Sequence, residues 1–362
     1  MKIVYVSHII ADGANGLCWS VPESVKAQSA IDDVYWLNTG EGVMEHWKKV
    51  SAFHDDFNYR WSLLKNLPAE YKKPDIVVFE GFYDSLLDVV WARELRKRNI
   101  PYIIVPRSAL TESAMNNHAR FKKKIAHCLF YNRFIKRAAA IHFLTRGEAK
   151  ETVKLFDLPH FIIPNGISIP SYFKKKFSQD HINATFIGRI DIHQKGLDLL
   201  FEAMSSERDI LDKNGFHLNI YGPKSSDTVA LLQLCKFYSL SNFVSINQQI
   251  FGKDKEKVLL DSDLFILTSR FEGLPMGLIE ALSYGVPCAV TDGTYLGEEI
   301  FDNKAGWVSN ISVIGISKML KNICINRTEL MERGKNAQLL SKKYDWSSIA
   351  KRTHYEYLKL IK

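Results

Sequence analysis

The run Arg270-Phe-Glu272-Gly273-Leu274-Pro275-Met276-Gly277-Leu-Ile-Glu280-Ala281 sets two carboxylates eight residues apart on either side of a Gly-x-Pro. An apolar, strand-like run from Asp263 to Ser269 precedes it. Pro275 is well placed as the first helical residue, where its missing N–H and fixed φ cost nothing, and Gly285 supplies the stop. On that reading Glu272 lies in the loop at the positive end of a helix. Glu280 then sits about 7–8 Å further along the axis, at about 1.5 Å per residue. Carboxylates so placed suit hydroxyl-rich ligands. One meets a sugar and the other a ribose, while N–H groups from Met276 and Gly277 onward face a diphosphate between them. Spacing alone is a weak signal, since a dipole-stabilising acid and an exposed helix glutamate explain most such pairs.

A second constellation strengthens it: Phe186-Ile-Gly188-Arg189-Ile-Asp191-Ile-His193-Gln-Lys195-Gly196-Leu-Asp198. A short apolar strand from about Ala184 to Ile187 runs into Gly188, and a helix is expected from near Gly196. Arg189 and Lys195 therefore bracket a strand-to-helix loop, where open α/β sheets bind ligands. Arginine offers a planar fork to phosphate oxygens and lysine a mobile point charge, which together offset the charge of a departing diphosphate.

At these residues the chain resembles the retaining glycosyltransferases of family four, which have the two-domain GT-B fold. The resemblance extends to Phe161-Ile-Ile-Pro164-Asn165-Gly166-Ile, Leu218-Asn-Ile-Tyr-Gly222-Pro223, Phe251-Gly252 and Ala305-Gly306-Trp307-Val308. It is nearly continuous from Ala184 to Val308 and loose in the N-terminal half, the part that chooses the acceptor. The resemblance implies an α/β fold of two Rossmann-like doubly wound domains facing a cleft, with a final helix crossing back to the first. It gives the donor diphosphate to Arg189 and Lys195, the ribose to Glu280 and the transferred sugar to Glu272. Backbone contacts to the donor fall on Gly188, Gly273, Leu274, Pro275, Met276 and Gly277, and on Gly16 in the turn Ala11 to Leu17, although a plain turn explains Gly16 equally well. Retention without a protein nucleophile follows. So does transfer from a UDP- or GDP-sugar to a lipid-linked saccharide in surface-polysaccharide or O-antigen assembly.

Composition agrees with two α/β domains. The chain has 362 residues, 46% hydrophobic and 24% charged, too long for one ordinary core. Boundaries are expected at 1–167, 168–343 and 344–362, with the polar stretch Ser168 to Asn183 as linker. Met1 to Ile10, Pro74 to Gly81 and Pro101 to Arg107 read as buried parallel strands, the last two separated by a helical stretch from Ser85 to Asn99. Pro22 implies a first helix whose start is displaced toward it. Cys18, Cys128, Cys235, Cys288 and Cys324 show no C-x-x-C spacing, which points to a reducing cytoplasmic compartment.

Arg107 stands where many family members have a cleft histidine, and His118 is the nearest downstream substitute. Asp261-Ser-Asp263 has metal-binding spacing but falls at a helix-to-strand boundary, so no catalytic metal is expected. Of the formal +8 charge, much lies between Ser113 and Gly147, a stretch without an acid. Phe121, Ile125 and Leu129 repeat there at helical spacing, which suits a basic helix from Arg120 to Arg137 lying on the cytosolic face of an inner membrane, or packing on its own sheet. Nucleic acid fits poorly, with few aromatics interleaved. A sugar-nucleotide isomerase of the same architecture, and a hydrolase using Glu272 and Glu280, are the competing classes. The hydrolase leaves the Arg189/Lys195 loop without a role.

Overall fold

The computed structural model describes all residues except 12–15, 55–61, 83–84, 112–130, 155, 273, 295 and 362. The chain divides into two compact units, one of Met1–Gly166 with Trp346–Lys362 and one of Ile167–Asp345. In the first unit the strands are β1 (Lys2–Ser7), β2 (Asp33–Asn38), β3 (Phe53–His54), β4 (Ile76–Glu80), β5 (Tyr102–Val105), β6 (Ala140–Phe143) and β7 (His160–Ile162). They form one parallel sheet in the order β3-β2-β1-β4-β5-β6-β7. Successive residues of β1 and β4 enter different cores. Val4, Val6, Val77 and Phe79 pack on one face, and Ile3, Tyr5, Ile76 and Val78 on the other. A period of two with both sides apolar is what a parallel sheet covered on both faces requires.

The helix Trp346–Leu360 belongs to this first unit, as the resemblance implies. Its Tyr357 is fully buried among Ile3, Tyr5 and Val25. His354 Nδ1 lies 2.9 Å from the carboxylate of the buried Asp32.

One expectation is overturned here. The first helix runs Leu17–Ser29 with Pro22 inside it, not starting toward it. A proline at that position cannot bond the carbonyl four residues back, Cys18 O. That oxygen is satisfied instead by side chains: the Trp47 indole N–H donates to it at 2.8 Å, and the His46 ring nitrogen lies at 2.8 Å. The fully buried Trp47 therefore stands in for the missing backbone donor.

In the second unit β8 (Ile182–Ile187), β9 (Phe216–Gly222), β10 (Val244–Gln248), β11 (Leu264–Leu267), β12 (Cys288–Thr291) and β13 (Gly306–Ser309) form a parallel sheet in the order β10-β9-β8-β11-β12-β13. After β8 the chain builds outward through β9 and β10, then returns to lay β11 on the other side of β8. The crevice between the carboxyl ends of β8 and β11 is thus the topological switch point, where open α/β sheets bind ligands.

The polar stretch before β8 is fastened to this unit. Lys174 Nζ donates to Leu260 O at 3.1 Å and pairs with Asp263 Oδ1 at 3.1 Å, and Lys174 N–H donates to Tyr284 O at 2.8 Å. Asp263 also accepts from the N–H groups of Asn183 (3.0 Å) and Ser178 (3.5 Å). The second acid of Asp261-Ser-Asp263 is thereby a buried fastening at the helix-to-strand junction.

Replacing Trp47 by Phe leaves Cys18 O with only the His46 ring nitrogen of these two side-chain partners, a loss of about 0.5–1.5 kcal/mol. Urea denaturation should show it as a lowered midpoint, and an unchanged midpoint would mean that the indole is not the substitute donor.

Candidate functional site

The loop after β8 and the loop after β11 meet across the switch point, and several bonds join them. Arg270 N–H donates to Gln194 O at 2.9 Å. The Thr268 hydroxyl lies 3.2 Å from both Lys195 O and Gly196 O. Arg270 Nη1 donates to His193 O at 2.7 Å, and its guanidinium grips Asp198 with two bonds of 2.7 Å each. Asp198 opens the helix Leu197–Ser206. Burial works against its charge, but the bidentate Arg270 outweighs burial and holds its carboxyl below the usual range.

Gly196 has φ +62°, and a Cβ there would sit 2.1 Å from Thr268 O, so only glycine allows the two loops to close. Gly277 does the same on the far side. A Cβ there would lie 2.9 Å from Ile187 O, so its absence lets the start of the helix Met276–Ser283 press against the last residue of β8.

On this frame Lys195 and Glu272 come together. Lys195 Nζ donates to Glu272 Oε1 at 2.5 Å, and Ser269 Oγ donates to the same oxygen at 2.5 Å. The two side chains are 14% and 7% exposed. Oε2 of Glu272 receives no bond from the described residues. Arg189 follows Gly188 at the mouth of the loop and is 67% exposed. Its guanidinium donates to Gln194 Oε1 at 2.6 Å and stands 3.9 Å from Asp191.

The helix Met276–Ser283 begins one residue later than the sequence predicts. Pro275 is its N-cap, with φ −78° and ψ 86°, and its carbonyl accepts from Leu278 N–H at 3.0 Å. The N–H groups of Met276 and Gly277 precede that first bond, as an anion-facing helix start requires. At the other end Gly285 N–H donates to Leu282 O and Val286 N–H to Ala281 O, with Gly285 at φ +74°. That is the Schellman pattern foreseen from the glycine. Glu280 lies within the helix, paired through Oε2 with Lys255 from the helix Gly252–Asp261.

The remaining sequence candidates are in the first unit or undescribed. Gly16 caps the helix Leu17–Ser29 with ordinary helical φ, and a Cβ there would meet nothing within 4 Å. Arg107 has φ +49° and points its guanidinium into a buried cluster, 2.8 Å from Glu80, 3.2 Å from Ser20 and 3.4 Å from Asn165. Gly273, His118, Cys128 and residues 120–130 of the basic stretch lie outside the described residues. Arg133, Lys136 and Arg137 are exposed around the short helix Asn132–Ile135, whose Phe134 and Ile135 are buried.

Sequence reading missed the Arg270–Asp198 clasp, the Ser269 donor and the Lys255 partner. All four residues stand inside or beside the quoted motifs, but no pattern in the chain shows that Arg270 will meet Asp198, or Lys255 Glu280, across so many residues, nor that the Ser269 hydroxyl will turn toward Glu272.

Residues 169–339 match the family model described as Glycosyl transferases group 1. The second unit is a group 1 glycosyltransferase domain. Over 325 residues the chain is 26% identical to lipopolysaccharide 1,6-galactosyltransferase of Escherichia coli strain K12, covering 81% of this chain and 80% of that one. Its structure is similar to that of Anabaena HepE in complex with UDP and glucose, with a TM-score of 0.71, 16% identity, and coverage of 99% of this chain and 100% of that one. It is also similar to the apo lipopolysaccharide outer core galactosyltransferase WaaB, at a TM-score of 0.72, 16% identity and 99% coverage of both chains. The fold is GT-B, with two Rossmann-like parallel sheets. The switch-point loops described above lie within the matched residues.

Arg270→Ala should destabilise the glycosyltransferase domain by about 1–2 kcal/mol, the lower part of the range for charge-assisted bonds because both partners are partly in water. Because the folded pKa of Asp198 is depressed, this contribution is present at neutral pH and is lost as pH falls through that value. Urea midpoints of wild type and Arg270→Ala should therefore differ at pH 7 and converge in acid. Equal midpoints at pH 7 would remove the clasp.

Proposed function

We propose that this glycosyltransferase is a retaining hexosyltransferase. It moves a sugar from a UDP-sugar to a lipid-linked saccharide in lipopolysaccharide or related surface-polysaccharide assembly. The observation that carries the reading is the joining of Lys195 and Glu272 on one buried oxygen at the switch point of a domain that matches group 1 glycosyltransferases. The relatives support the chemistry: one is a lipopolysaccharide 1,6-galactosyltransferase, and another was solved with UDP and glucose.

In this reading the diphosphate lies over the N–H groups of Met276 and Gly277, with Gly188, Leu274 and Pro275 shaping the cradle. As the glycosidic C–O bond to phosphate breaks, its electron pair goes to the diphosphate. Arg189 and Lys195 meet the charge that develops there, and cations fixed beforehand stabilise such a transition state without reorganisation. Glu272, oriented by Ser269 and Lys195, presents its second oxygen to the hydroxyls of the transferred sugar. The acceptor hydroxyl then attacks the face from which the diphosphate leaves and passes its proton to the departing diphosphate oxygen, so that configuration is retained without a protein nucleophile. Two cations at the phosphates make a divalent metal unnecessary.

A lipid-linked acceptor places the enzyme at a membrane surface. No described helix is long and apolar enough to cross a membrane, and the basic stretch from Arg120 to Arg137 is the proposed contact. Sedimentation with anionic liposomes at low salt measures that contact, and a protein that ignores them lacks it.

Radiolabelled UDP-glucose, UDP-galactose and GDP-mannose, each with and without a lipid-linked acceptor, test the reaction. Label should pass to lipid only in the presence of acceptor. Free sugar or an epimerised nucleotide sugar as the sole product would assign a hydrolase or an isomerase instead. Glu280→Ala should weaken binding of free UDP, while Glu272→Ala spares it and lowers turnover. Equal losses of affinity would overturn the division of roles. Lys195→Ala and Arg189→Ala should each cost roughly 2–4 kcal/mol in kcat/KM. Activity is expected to survive EDTA, and a loss restored by Mn²⁺ or Mg²⁺ would establish a metal requirement.

A further inference from the structure

We infer that Lys255 is a positioning residue for nucleotide recognition: its ammonium holds one oxygen of Glu280 so that the other is presented to the ribose hydroxyls. The inference rests on the donor reading above and adds a residue to it.

Lys255 lies in the first turn of the helix Gly252–Asp261, which begins at Gly252 with φ +51°. It forms an ion pair with Oε2 of Glu280 across the gap between that helix and Met276–Ser283. The two oxygens of Glu280 differ in surroundings. Oε2 is closed off from solvent beneath the ammonium, while the side chain as a whole is 31% exposed. Oε1 receives no bond from the described residues. A carboxylate with one oxygen covered by a fixed cation loses its rotational freedom without losing its second acceptor. That acceptor can then take a vicinal diol with little ordering cost, because preorganisation lowers the entropy lost on binding.

The groups around the pair support this use of Lys255. Glu256, the next residue, is engaged by the Tyr172 hydroxyl. Tyr284, one turn beyond Glu280, has its phenol pushed up to about 12 by burial and by the neighbouring acids Glu256 and Glu280, so it stays neutral at physiological pH. Among the described residues Lys255 is therefore the cation on Glu280. Without it, Oε2 would be a buried acceptor with no donor, which is costly enough to move the carboxylate to another rotamer.

A bond between helices that merely braces the domain would also pair these residues, and the two roles predict different measurements. In the full chain, Lys255→Met should raise the Kd for free UDP about tenfold, equivalent to about 1.4 kcal/mol. It should raise the donor KM to a similar extent with kcat changed less than about twofold, the pattern of lost uniform binding. Lys255→Arg should restore affinity to within about threefold of wild type. Adding Lys255→Met to Glu280→Ala should cost little more than Glu280→Ala alone, because the lysine acts through the glutamate. Lys255→Gln repeats the measurement if the Met variant does not fold. Wild-type UDP affinity in folded Lys255→Met or Lys255→Gln, beside weakened affinity in Glu280→Ala, would overturn this inference and leave the donor reading standing. Wild-type affinity in Glu280→Ala, or no binding of UDP or GDP by the wild type, would overturn the donor reading and this inference with it.

Discussion

The closure of two loops over the switch point between β8 and β11 is the constraint on which the rest of the second unit depends. The sheet itself leaves only a crevice there. Its conversion into a site follows from the bidentate grip of Arg270 on Asp198, the backbone bond from Arg270 to Gln194, and the glycine at 196 that allows the approach. Once these loops are fixed, Lys195 and Glu272 have little freedom in where they go. The charged groups are thus positioned by neighbours that touch no substrate in the proposed reaction. Precision at the reacting centre comes from the supporting shell.

Electrostatically the site is assembled in pairs. Lys195 is balanced by Glu272, Arg270 by Asp198 and Lys255 by Glu280. Burying any one of these charges alone would be expensive, whereas a paired group can be held partly out of water. Pairing also leaves second oxygens on Glu272 and Glu280, so each carboxylate can accept from a ligand while keeping its protein partner. Arg189 differs, being mostly in water with a single close partner in Gln194.

The GT-B fold and the strand–loop–helix frame were legible because their signals are local. Alternating or continuous apolar runs marked the strands. Gly-x-Pro marked a helix start to within one residue, and Gly285 marked its end through the carbonyls it frees. What sequence could not show was which side chains meet across loops, as with Arg270 and Asp198, because that depends on the register of β8 beside β11. Pro22 misled for a related reason. Proline disfavours a helix interior by leaving a carbonyl unbonded, and nothing near it in sequence announces that the Trp47 indole will take that carbonyl. Arg107 was conspicuous as a departure from the family pattern, but its burial against Glu80 and Asn165 is a tertiary fact.

The helix Trp346–Leu360 packs in the first unit, although the whole of the second unit precedes it in the chain. On each side of the double crossing the two strands of chain are matched. Gly166 leaves no room for a Cβ against Trp346, and Ile167 bridges to Asp345, with its N–H donating to Tyr344 O at 2.7 Å. In topological terms the second unit is an insertion, continuous in sequence, and the first is discontinuous. Synthesis from the N-terminus therefore completes the units out of order. The inserted unit has all its residues once Asp345 has emerged, while the first still lacks Tyr357 in its core. Until the last turns of helix are made, the core of the first unit lacks Tyr357, and apolar surface left uncovered in this way is what makes incomplete chains prone to associate.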